Sequence, residues 1–157
     1  MEVANIYGED WKDTSAWPRP EPFDWKWAHI GGRIGAELIG GSLYEIPPGK
    51  QSFPYHYEYG AEEWLLCVGG RPTLRSPEGE QELRPGDLVC FPEGPEGAHQ
   101  VLNRTEEPVR VLILSTQGLP KVAVYPDSDK FNVNTGNPDD RLIVRRESGV
   151  DYWDGEA

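Results

Sequence analysis

Eighteen glycines and fifteen prolines interrupt this chain of 157 residues, and the segments between them are short and alternate apolar with polar positions. Such punctuation forbids long helices over most of the length, because both residue types break helix interiors. Residues 38–46, 63–68, 73–76, 81–83, 87–91, 99–103 and 109–115 read as strands. Residues 122–125, 131–133 and 142–146 continue the pattern. Ser76-Pro77-Glu78-Gly79 is a hairpin tip, with proline presetting the turn and glycine supplying positive φ. Short strands at this pitch predict an all-β sandwich or barrel.

The expected organisation is one domain over 1–157, with a barrel core at 38–115 and a β extension at 121–157. Residues 1–28 read as an arm. They hold Trp11, Trp17, Trp25 and Trp27, while Pro18, Pro20 and Pro22 break up any helix. Packing of these rings on the barrel or on a second copy is the expected role. A platform for a sugar or aromatic ligand is the sharper alternative.

The charge pattern narrows the partners. Fifteen Lys and Arg face twenty-seven Asp and Glu, a net charge of −12. That surface repels phosphate backbones and anionic lipid, so neither nucleic acid nor membrane is an expected partner. No basic leader followed by an apolar stretch opens the sequence, and a cytoplasmic location is expected. Cys67 and Cys90 sit in apolar strand-like segments and read as small core residues. Asp127-Ser128-Asp129 lacks the spacing of a calcium loop.

Only three histidines occur, His29, His56 and His99. His29 reads as a packed or turn residue. His56 and Glu58 are two apart, so on an extended strand they share a face. Glu63 can join them only if the chain turns at Tyr59-Gly60-Ala61, and His99 must arrive from a separate strand. Convergence of such groups requires a sheet that curls into a barrel. Glu62 is the competing acid, and its side chain should face opposite to that of Glu63.

These residues fall in two spaced motifs. Gly49, His56, Glu58, Glu63 and Gly70 resemble the first motif of the cupin superfamily. Gly86, Pro92, Gly94, His99 and Asn103 resemble the second, with two extra residues before the histidine. The motifs and the segment between them span about a third of the chain. The resemblance implies a cupin-type jelly-roll barrel with a divalent metal, Mn, Fe, Zn or Ni, held by His56, Glu58, Glu63 and His99. Glu58 stands where the family has a second histidine, so the implied set is two imidazoles and two carboxylates. Two buried glutamates repel one another and lose hydration, and a cation removes both penalties.

Tyr44, Leu65, Phe91 and Val101 are the expected pocket walls, with Tyr55 and Tyr59 at the mouth. An apolar wall around a metal suits a small organic ligand. The resemblance implies a metal-dependent enzyme or binding protein, and a homodimer. Cupins include dioxygenases, isomerases, epimerases and decarboxylases, and the motifs select none of these. The alternatives are a non-catalytic sensor and a metal-free structural barrel.

Overall fold

A computed structural model describes residues 1–8 and 18–156. Trp11 and Trp17 lie outside the described residues. The elements run β1 (Lys26–His29), one helical turn α1 (Ile30–Arg33), β2 (Ile39–Ile46), β3 (Tyr57–Tyr59), β4 (Glu63–Gly69), β5 (Thr73–Ser76) and β6 (Gly79–Glu82). They continue with β7 (Leu88–Phe91), β8 (Gln100–Leu102), β9 (Val109–Thr116), β10 (Lys121–Tyr125), β11 (Lys130–Asn134) and β12 (Leu142–Arg145).

Among the described residues these strands form three antiparallel sheets, ordered β1-β2-β9-β4-β7, β6-β5-β8 and β12-β11-β10-β3. β9 sits between β2 and β4, which pair with it along most of its length. The expected hairpin closes at Ser76 opposite Gly79. The first two sheets face each other across the main core. Ile46, Leu65, Cys67, Val109, Val111 and Ile113 come from the five-stranded side, and Leu74 and Val101 come from the three-stranded side. Leu65, Ile46, Val101 and Val109 are fully buried. This is a jelly-roll barrel, and period-two alternation builds it, because every second side chain enters the core.

β9 is apolar on both faces because both are covered. Leu112 turns outward and packs with Leu43, Val68, Ala28 and Ile30, and Ala4 and Ile6 lie against this second cluster. The residues expected at the end of the arm, Lys26 to Ala28, belong to edge strand β1, which pairs with β2.

One single-residue expectation is corrected. Cys90 is exposed, not part of the core. β7 is an edge strand whose alternate residues Val89 and Phe91 take the core face, which leaves Leu88 and Cys90 outside. Parity overrides the general tendency of thiols to be buried. His29 is exposed at the end of β1 and leads into the turn Ile30–Arg33, the turn alternative of its expected roles.

Candidate metal centre

The site grows from one β-bridge. The backbone N–H of His56 donates to the His99 carbonyl at 3.2 Å, and the His99 N–H donates to the His56 carbonyl at 2.8 Å. The two ring centroids are consequently 4.7 Å apart. The two extra residues before His99 are taken up by a 3-10 turn, Pro95–Gly97. Glycine is required in that turn: a Cβ at Gly97 would lie 1.9 Å from the Pro92 carbonyl oxygen.

Glu63 enters from β4 by strand parity. Glu63, Leu65 and Cys67 share the core face, while Glu62 faces outward and accepts from Trp64 Nε1 at 2.9 Å. The turn that aims Glu63 inward passes through Gly60, at φ +82°, where a Cβ would sit 2.6 Å from the Pro120 carbonyl oxygen. Glu63 pairs in register with Phe91, and the Phe91 ring stacks on His99 at 3.8 Å.

His56, Glu63 and His99 each offer a ligand atom, and these atoms all lie within 4.8 Å of one another. Both imidazoles are fixed in one tautomer. His56 Nδ1 lies 2.9 Å from the Pro54 carbonyl and His99 Nδ1 lies 2.9 Å from the Gly97 carbonyl. A carbonyl only accepts, so each Nδ1 carries the hydrogen and each Nε2 keeps its lone pair. His99 Nε2 is buried without a hydrogen-bond partner, 3.5 Å from Glu63 Oε2. Buried polar atoms in folded proteins are seldom left so. Two lone pairs and a carboxylate around an orphaned nitrogen fit a divalent cation with open positions.

The electrostatics agree with that fit. Burial, reinforced by His56, pushes the His99 imidazole down to about 3. Burial also lowers His56. Burial, followed by repulsion from Glu58, pushes the Glu63 carboxyl up to about 7. Both rings are thus neutral donors at neutral pH. A cation would supply the positive charge that Glu63 lacks.

The structure separates Glu58 from the other three. Its carboxyl is not in the close group, although it raises Glu63 and is itself raised by burial. His56 bridges to His99, but Glu58 on β3 pairs with Ala123 on β10.

Leu65 and Val101 lie in the closed core, Phe91 covers one His99 face, and Tyr44 packs against the same core. Tyr59 is exposed, and Tyr55 lies under Arg75, with the guanidinium 4.0 Å from the ring centroid. Two neighbours escaped sequence reasoning. Phe53 meets His56 and His99 edge-on at 5.0 and 5.9 Å, and Tyr125 stacks on His56 at 5.9 Å. Phe53 had a local signal, an aromatic inside the first motif. Tyr125 had none, since it reaches the site only through β10–β3 pairing.

Residues 42–115 match the family model of the Cupin domain. A search of curated proteins finds no match. A solved structure from Silicibacter pomeroyi, described as a sugar phosphate isomerase from a cupin superfamily, is 26% identical with a TM-score of 0.74, covering 83% of this chain and 82% of that one. A proposed sugar phosphate isomerase from Acidithiobacillus ferrooxidans is 26% identical with a TM-score of 0.73, covering 81% and 80%. The polyketide cyclase RemF from Streptomyces resistomycificus shares the fold, at 18% identity and a TM-score of 0.61, covering 77% and 83%.

Proposed function

This chain belongs to the cupin superfamily, and on that premise we propose that it is a metal-dependent enzyme that isomerises a small sugar-like molecule, in particular a sugar phosphate. The observation that carries the reading is the convergence of His56, Glu63 and His99 around an unpartnered buried nitrogen. The two similar structures described as sugar phosphate isomerases support the substrate class.

His56, Glu63 and His99 would hold the ion, with Mn, Fe, Zn and Ni as the candidates. When bound, a divalent ion supplies charge stabilisation at substrate oxygen atoms. Glu58, outside the close group, is the chain's candidate for carrying the proton that an aldose–ketose exchange moves between adjacent carbons. Phe53, Phe91 and Tyr125 enclose the imidazoles and keep water from their flanks. Leu65, Val101 and Tyr44 line the apolar interior beneath.

The test is elemental analysis of the purified protein beside His56→Ala, then an isomerisation screen on aldose and ketose phosphates with each metal. Equal metal content in the two proteins would remove the site. Metal without turnover of any sugar phosphate would keep the site and overturn the substrate.

The reading includes a homodimer. Ile39, Trp64 and Leu88 are large apolar residues exposed on the outer face of the five-stranded sheet, in a molecule whose net charge of −12 otherwise opposes self-association. Among the described residues no helix is long and apolar enough to cross a membrane.

A further inference from the structure

A groove of about 620 Å³ crosses the outer side of the three-stranded sheet, between the segment beginning at Pro18 and the start of the C-terminal extension. Its lining includes Arg19, Arg75, Arg104 and Lys130, against the two carboxylates Glu80 and Asp127. This cationic excess stands in a molecule of net charge −12. None of the lining residues belongs to the His56, Glu63 and His99 group, so the groove is a different place from the barrel centre.

Arg19, Arg75 and Arg104 each pair with one carboxylate, and a guanidinium keeps donors beyond one such pair. Lys130 has no carboxylate within ion-pair distance among the described residues, and its Nζ lies 5.4 Å from the Tyr125 ring. Arg104 engages Glu80 through NH2 alone, at 2.6 and 2.8 Å. A guanidinium carries five N–H donors, so Arg104 keeps most of its hydrogen-bonding capacity. Arg75 lies over Tyr55 and pairs with Asp127 at 2.6 and 2.9 Å, which fixes its orientation. Arg19 is held over Trp25, its guanidinium 3.8 Å from the ring centroid, and its NH1 donates to the Trp25 carbonyl at 2.5 Å and pairs with Asp24 at 3.3 Å. The Arg75–Asp127 and Arg104–Glu80 pairs are solvent-exposed, where such pairs are weak. The floor is built rather than incidental. Gln100 is buried, and its amide donates to Gln51 Oε1 at 3.1 Å and to the Phe53 carbonyl at 3.2 Å.

We propose that this groove is a second ligand site, taking a small multivalent oxyanion such as a phosphate- or carboxylate-bearing metabolite. Positioned guanidinium forks and a mobile ammonium are the groups that recognise such anions. The volume falls in the range of small-molecule sites. The inference does not depend on the metal or on isomerisation.

The experiment is calorimetric titration of the full chain at low salt with pyrophosphate and, separately, with citrate, using glucose as the neutral control. Binding of either anion, absent for glucose, is expected, and the stronger arm identifies the anion class. Lys130→Glu and Arg104→Gln, on different elements of the wall, should each weaken binding by about tenfold, with unfolding midpoints close to wild type. His56→Ala should leave the affinity unchanged. No binding by either anion would overturn the proposal. So would an affinity that neither groove variant moves, or one lost in His56→Ala, which would place the anion at the metal centre.

Discussion

His56 and His99 are forty-three positions apart, yet each donates its backbone N–H to the other's carbonyl, at 3.2 and 2.8 Å. The bridge ties the two imidazoles to a single geometric element. The bridge fixes the backbone at both positions, and the Nδ1 contacts with the Pro54 and Gly97 carbonyls hold the rings. This rigidity is what a metal centre requires of its ligands, and it makes the division of labour among the acids testable.

Glu63→Gln and His99→Ala should each lose metal, and Glu58→Gln should keep it at near wild-type stoichiometry. Loss of a direct ligand should exceed the roughly 10- to 100-fold affinity cost of losing an outer partner. Metal content after dialysis against a chelator checks this. Depletion in Glu58→Gln as deep as in Glu63→Gln would return Glu58 to the ligand set.

In the metal-free protein, two shifts act on stability with opposite sign. Folding raises Glu63 from 4.5 to about 7, so across that window the folded state holds a proton the unfolded chain has released, and stability falls as pH rises. Folding lowers His99 from 6.5 to about 3, so across its window the unfolded chain holds the extra proton, and stability rises with pH. Glu63→Gln removes the first slope only. Between pH 4.5 and 6.5 the variant should therefore gain stability with pH more steeply than wild type. Urea midpoints across that range decide the matter, and parallel curves would contradict the assignment.

Leu65→Ala should destabilise the fold by about 2–5 kcal/mol, the usual cost of a cavity at a fully buried leucine. The urea midpoint should fall with an unchanged slope. Metal stoichiometry should persist under native conditions, since Leu65 makes no polar contact with the cluster.

Asn103 is buried and donates to the Ile46 and Glu107 carbonyls at 2.9 and 2.8 Å, while its oxygen accepts from the Thr105 N–H at 2.9 Å. Asn103→Ala strands these groups at roughly 1–3 kcal/mol each where water cannot reach them. Asn103→Asp should not rescue stability, because an ionised carboxylate cannot donate to the two carbonyls. Thermal melts of the three proteins check both statements.

The proposed dimer should dissociate when charge enters the outer face of the five-stranded sheet. Trp64→Glu or Leu88→Glu should lower the mass measured by light scattering to that of one chain. An unchanged mass in both variants would place the interface elsewhere.

The barrel was legible because its signals are local. Alternation marked the strands, Pro-Glu-Gly marked the hairpin, parity put Glu62 and Glu63 on opposite faces, and the motif spacing to Gly70 favoured Glu63 as the inward acid. The histidine and glutamate spacing pointed to the cluster for the same reason. Cys90 was misread because an apolar run does not say which strand is an edge.

Thus the sequence by itself determined most of the strands along the chain, the turns between them and the alternation of faces within a strand. Only the tertiary structure decided which strands meet. It paired β3 with β10, brought Tyr125 onto His56, fixed both Nδ1 hydrogens on backbone carbonyls and gathered four cations around one groove. Strand pairing couples residues far apart in the chain. Local propensity sets the direction of a side chain along its own strand, but not the neighbour it finds there.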